Sequence, residues 1–212
     1  TEMAQKTNML AAVVAMNQGG RENYDPETDF WFWKSRACSA ATFAAVYNAY
    51  TNGEINISEA IRMIEASGPG TDIGADGLSN VRGAGVSLAD AMTQGGVPSE
   101  ARNLSRDELE QMLASKQPIM MQFSGWGRDG HWAAATGLKE DGSGIYVADS
   151  GYGRTDLSWG EVQEWWSGIG VYATGDERRL PSSEQMARHG ETPEQQTIHQ
   201  LSDDLSAEYG VD

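Results

Sequence analysis

Apolar positions along the chain change period once. Through the first half they recur at three- and four-residue spacing, which predicts helices; from Pro118 they run in short continuous blocks, which predicts buried strands. Residues 3–17, with Met3, Leu10, Val13 and Val14 apolar, predict an N-terminal amphipathic helix ended by Gly19-Gly20. A polar stretch from Arg21 to Asp29 leads into an extended aromatic cluster, Phe30-Trp31-Phe32-Trp33. A second helix is predicted from near Ala37 through Phe43, Val46 and Tyr47 to Tyr50, and Asn52-Gly53 stops it. A third spans 58–66, with Ser58 as N-cap and Gly68-Pro69-Gly70 beyond it. Ser87 with Asp90, and Ser105 with Glu108, have the spacing of capping boxes, in which a Ser side chain and an acid satisfy free N–H groups.

The strands predicted in the second half are 118–123, 131–136 and 144–149, and Asp141-Gly142 between the last two suits a tight hairpin. A short helix capped by Ser158 with Glu161 carries Val162, Trp165 and Trp166, and 170–174 reads as a closing strand. Helices first and an antiparallel sheet second predict an α+β domain. Three regions follow: 1–24 as N-terminal helix and lead-in, 25–175 as the folded body, and 176–212 as an acidic appendage. The appendage has three Arg against nine acids, a net charge of −6. Thr192-Pro193-Glu194-Gln195 starts a helix there, and Ile198, Leu201, Leu205 and Tyr209 form one stripe for docking on a protein partner or an adjoining domain.

Charge narrows the function. With 15 basic and 31 acidic residues the formal net charge is −16, which argues against nucleic acid and against docking on anionic lipid. No apolar run approaches the roughly 18 residues needed to span a bilayer, so membrane insertion is not expected. The apolar run Met9–Met16 has the length of a signal-peptide core. Only Lys6 precedes it and no cleavage site follows, so no signal peptide is visible. A single cysteine excludes an internal disulfide and any thiolate metal cage. Asp72 and Asp76 match no full calcium loop, so no metal and no cofactor is expected.

That cysteine, Cys38, stands where the aromatic segment passes into a helix, and the positive end of the helix dipole stabilises a thiolate there. Small residues Ser39, Ala40 and Ala41 let the helix pack tightly beneath a cleft. Of three histidines, only His131 lies in the folded body, at the head of a strand after the Gly-rich loop 124–130. An imidazole within hydrogen-bond reach activates a thiol. Folding the hairpin back about Asp141-Gly142 sets Thr136 opposite Ile145 or Tyr146. His131 then comes near 149–151, where Asp149 can hold the ring in one tautomer. Glu161 and Asp156 are weaker candidates for that role, because their local patterns already account for them.

The order Cys38, His131, Asp149 resembles the papain-like cysteine peptidases, in the branch related to the bacteriocin-processing double-glycine peptidases. The residues that carry the resemblance are Ala37-Cys38-Ser39-Ala40-Ala41, Gly130-His131-Trp132-Ala133-Ala134, Tyr146-Val147-Ala148-Asp149-Ser150, and the stretch Leu157 to Gly168. The resemblance covers roughly residues 25–175. It implies a helical lobe around Cys38 packed on a small antiparallel sheet bearing His131 and Asp149. It also implies hydrolysis of a peptide or protein substrate through a thioester, with no cofactor. Members of this group place a Gln about six residues before the Cys as an oxyanion donor; position 32 here is Phe32, and no Gln stands between 19 and 93. The Cys38 backbone N–H remains as one donor, with Trp33, Lys34 or Ser35 as candidates for another, and Trp126 and Trp132 as candidate walls of a substrate groove. Three alternatives accompany the peptidase expectation, the first two prompted by the missing Gln. They are a weak enzyme, a retired domain serving as a binding or assembly module, and a peptidoglycan amidase or transglutaminase on the same fold. Gly19-Gly20 and Gly95-Gly96 echo a double-glycine cleavage site, but helix termination explains both.

Overall fold

The computed structural model describes residues 13–51, 53–67, 81–126 and 130–174, with only the backbone given for 81–86. The Asp72 and Asp76 loop and the stripe Ile198, Leu201, Leu205, Tyr209 lie outside the described residues. A single 3-10 turn, Arg21–Asn23, is followed by helices α1 (Glu27–Trp33), α2 (Cys38–Thr51), α3 (Ile57–Ala66) and α4 (Val81–Gln94). Then come strand β1 (Ser99–Asn103), helix α5 (Arg106–Ala114), and strands β2 (Ile119–Phe123), β3 (His131–Leu138), β4 (Gly144–Asp149) and β5 (Gly153–Ser158). Helix α6 (Trp159–Trp165) and strand β6 (Trp166–Ala173) complete the fold. The six strands form one antiparallel sheet in the order β1-β6-β2-β3-β4-β5, so the domain is α+β. No helix among the described residues is long and apolar enough to cross a membrane.

The sheet is covered on both faces, which explains why β2 and β3 read as continuous apolar blocks rather than alternating ones. Met120, Trp132, Ala134 and Val171 join Phe43, Ile57, Ile64, Leu88 and Met92 of α2, α3 and α4 in one core. Their chain neighbours Met121, Phe123, Ala133 and Ala135 join Leu109 and Leu113 of α5 and Val162 of α6 in a second. Two-residue periodicity thus assigns alternate side chains to opposite cores.

Local signals set most of the boundaries. The capping boxes of Ser105 with Glu108 and Ser158 with Glu161 are both formed, each worth about 1 kcal/mol. The β3–β4 hairpin turns at Asp141-Gly142, with Gly142 at φ 74° and the Asp141 carboxylate accepting from Ser143 N–H at 2.9 Å.

Several expected boundaries are corrected by tertiary contacts. Of the predicted helix 3–17, residues 3–12 lie outside the described residues, and 13–17 are not helical: Val13 is buried, and the Gln18 N–H donates to the Ser150 carbonyl at 3.1 Å. The aromatic cluster is not extended but helical, because Phe30 and Trp33, three apart, are both buried while Trp31 and Phe32 face solvent. Helix α3 is capped by Asn56 in a capping box with Glu59; Ser58 lies inside the helix, its Oγ accepting from Asp25 N–H at 2.9 Å. Ser87 is no N-cap either, since α4 has already run six residues when it reaches this buried side chain. Trp166 belongs to β6 rather than to α6, and strands β1 and β5 had no signal in the pattern, since their exposed faces make them largely polar.

Candidate active site

Cys38 is the first residue of α2 and is half-buried. The helix that carries it is almost entirely buried, Ala40, Ala41, Phe43 and Ala44 all lying in the core, so its position is set by packing along its full length. One turn on, Thr42 Oγ1 donates to the carbonyl of Trp132 at 3.1 Å, which ties the start of α2 to the residue after His131. The turn before Cys38 is closed by Lys34 N–H to the Phe30 carbonyl at 2.9 Å and Arg36 N–H to the Trp33 carbonyl at 2.8 Å.

His131 opens β3 opposite Phe123 of β2, and Asp149 closes β4. A register shift between Ala135 and Gly137 leaves Thr136 unpaired, so Gly137 rather than Thr136 faces Tyr146. The hairpin still brings the two side chains together: His131 Nε2 hydrogen-bonds Asp149 Oδ2. Both are buried, at 6% and 1% exposure. The other carboxylate oxygen, Oδ1, accepts from the backbone N–H groups of Gly151 and Tyr152, each at 2.8 Å. Burial alone raises the Asp149 pKa; the hydrogen bond from His131 and those two N–H groups outweigh it, and the net shift is downward. Burial likewise disfavours a charged His131, but the Asp149 hydrogen bond and the Cys38 thiol outweigh it and the imidazole is pushed up to about 9. Nδ1 is buried and completes no hydrogen bond. Nδ1 is therefore the ring nitrogen that Asp149 does not engage, and Cys38 is the other side chain that favours the charged ring.

Gln18 is the residue that local sequence reasoning missed. It is 5% exposed, and both ends of its amide make hydrogen bonds. Nε2 donates to the carbonyl of Lys34 at 3.0 Å, four residues before Cys38, and Oε1 accepts from Ser150 Oγ at 2.5 Å, one residue after Asp149. Tyr24 Oη adds a bond to the Gln18 carbonyl at 2.7 Å. A primary amide with two N–H donors, one of them engaged by Lys34, is thereby buried between the lead-in to Cys38 and the residue following Asp149. The signal for it was visible only as a Gln at the end of an apolar run, on a segment read as helix.

The candidate walls divide. Trp132 is completely buried and therefore lines no groove, and Trp33 is also buried. Lys34 and Ser35 are exposed in the turn before Cys38. Trp126 lies edge-on to His131 with 5.3 Å between ring centroids. It stacks on Trp165 at 6.2 Å and on Tyr152 at 6.1 Å, and Tyr152 itself is 75% exposed. Trp126 holds φ 60°, a left-handed conformation that costs an ordinary residue about 1–2 kcal/mol. The aromatic contacts offset that cost and keep the ring over the imidazole. Asp156 pairs with Lys139 and Glu161 caps α6, so neither orients His131.

The sequence matches the family model of the papain-like cysteine protease AvrRpt2 over residues 23–159, well over half of the chain. The chain belongs to this family of papain-like cysteine proteases. Among curated proteins none matches it. Similar solved structures include a double glycine motif protease from an AMS/PCAT transporter in complex with the leader peptide, at 19% identity and TM-score 0.48, covering 65% of this chain and 84% of that one. The peptidase domain of Streptococcus ComA, a bifunctional ABC transporter of a quorum-sensing pathway, gives 16% identity and TM-score 0.49, covering 66% and 93%. The N-terminal peptidase C39-like domain of a toxin secretion ATP-binding protein from Vibrio parahaemolyticus gives 12% and 0.44, covering 66% and 98%.

Proposed function

We propose that this protease-family chain hydrolyses peptide bonds with Cys38 as nucleophile, His131 as acid and base, Asp149 as the group that orients His131, and Gln18 as an oxyanion donor. The observation that carries the reading is the buried His131–Asp149 pair. It occupies Nε2 and leaves Nδ1 unpartnered, and Cys38 is the other side chain that favours the charged ring. In the first step the Cys38 thiolate attacks the substrate carbonyl carbon while its former proton resides on His131 Nδ1. The developing oxyanion is met by the Cys38 backbone N–H and the unengaged N–H of Gln18. His131 then passes the Nδ1 proton to the amine as the C–N bond breaks, leaving a thioester on Cys38. Water attacks the thioester, gives its proton to Nδ1, and releases the acid and the Cys38 thiolate, which restores the starting thiolate–imidazolium pair. Asp149 keeps Nε2–H engaged throughout, so the ring never turns away.

Gln18 bears on the rival readings. The retired scaffold and the weak enzyme rested on the lack of Gln at position 32. A buried amide held by Lys34 and Ser150 supplies what that position lacks. Membership of a protease family favours peptide hydrolysis over peptidoglycan amidase or transglutaminase chemistry. The test is the rate of Cys38 alkylation by iodoacetamide at pH 6, followed by intact mass in wild type and His131→Ala. The variant is expected to react at least tenfold more slowly. Equal rates would remove the thiol–imidazole pair and the peptidase reading with it.

A further inference from the structure

The chain carries a formal charge of −16, yet the turn that delivers the nucleophile carries two cations and no acid. Lys34 and Arg36 stand four and two residues before Cys38, so the Cα of Arg36 lies within about 7 Å of the Cys38 Cα. Their backbones are fixed by the turn bonds to Phe30 and Trp33, and by the amide of Gln18 on the Lys34 carbonyl. Their side chains are laid on aromatic rings rather than on carboxylates. Lys34 Nζ is 4.7 Å from the centroid of Trp31, and Arg36 Cζ is 4.9 Å from that of Phe32. Both rings are more than half exposed, at 59% and 55%.

The acids of α1 are engaged elsewhere: Glu27 pairs with Arg21, and Asp29 lies 3.7 Å from Arg62. No acidic side chain among the described residues pairs with Lys34 or Arg36. A cation on a ring face keeps its N–H donors free and loses side-chain freedom in advance, so it meets an incoming carboxylate at reduced entropic cost.

We propose that Lys34 and Arg36 select substrates bearing an aspartate or glutamate beside the scissile bond. This rests on the peptidase reading and names its substrate class. In a strongly acidic protein such a rim does two things: it cancels the repulsion an acidic peptide meets on approach, and it draws the carboxylate to the side from which Cys38 attacks.

The rim is tested without any substrate by alkylating Cys38 with iodoacetate, an anion, and iodoacetamide, its neutral counterpart. The ratio of the two rates cancels changes in thiol nucleophilicity and reports local charge. At low salt the iodoacetate-to-iodoacetamide ratio is expected to fall about threefold to tenfold in Lys34→Gln/Arg36→Gln, with the difference compressed in 0.5 M NaCl. The charge-conserving Lys34→Arg/Arg36→Lys protein is expected to keep the wild-type ratio. An unchanged or raised ratio in the neutralised variant overturns the rim. Failure of the triad is distinguishable, because it shows as an iodoacetamide rate indifferent to His131 whatever the ratio does.

Discussion

The two walls of the site are built by different means. The His131 wall is a single hairpin: His131 and Asp149 are 18 residues apart, on strands joined by a short turn, and the second oxygen of Asp149 is held by N–H groups two and three residues on. The Cys38 wall is assembled from afar. Thr42 reaches Trp132 across 90 residues of chain, and Gln18 reaches Ser150 across 132. Closing a loop costs more entropy the longer it is, though slowly. The hairpin wall therefore forms wherever the sheet forms, while Cys38 and Gln18 come into register only when the whole domain has folded.

The comparison breaks most visibly at Asp149. Asp149→Ala frees the imidazole to rotate and removes the partner that favours its charge, so kcat/KM on a peptide substrate is expected to fall about 10³–10⁴-fold. Steady-state kinetics measures this, and a loss below tenfold would show that the hairpin does not set the base. Gln18→Ala strikes the other wall. The expected loss is about 10²–10³-fold in kcat with KM little changed, because an oxyanion donor acts on the transition state. A change confined to KM would make Gln18 a structural tie only.

The smallest effect is on stability. His131 is raised from the ordinary 6.5 to about 9 in the folded protein. Its protonated form therefore adds stability that is fully present below pH 6.5 and is lost as the pH rises through about 9. Denaturant unfolding of wild type against His131→Gln should show the wild-type advantage shrinking across that window. An advantage independent of pH would contradict the raised imidazole.

The hairpin wall was legible in the sequence because it depends on short-range rules. Asp141-Gly142 announces the turn, counting outward brings His131 to 149–151, and the bulge at Thr136 alters the pairing by only one residue. The place of Cys38 at the start of α2 was legible for a similar reason: a helix beginning after a polar turn is a local pattern. Gln18 was not. Its segment has helical spacing, and only its hydrogen bonds to Ser150, Lys34 and Tyr24 give it a place that the helical reading does not predict. Trp132 failed in the opposite direction. Its place next to His131 looked like a groove wall, but on a strand covered on both faces the next residue points into a core. Phe30 and Trp33 likewise became helical because their burial, three residues apart, outweighed the extended reading of an aromatic run.

What the sequence alone determined is the set of local commitments: an α+β order of elements, the capping boxes of Ser105 and Ser158, the hairpin turn, and the order of Cys38, His131 and Asp149 along the chain. What the tertiary structure decided is which distant groups share a space. Gln18 came to lie between Lys34 and Ser150, Lys34 and Arg36 became cations without carboxylate partners among the described residues, close in the chain to Cys38, and Trp126 rather than Trp132 became the ring against His131. The physical reason is range. Backbone hydrogen bonding and side-chain periodicity act over a few residues and leave their imprint in the pattern. Burial and pairing across more than a hundred residues depend on where two cores meet, which no window of the sequence contains.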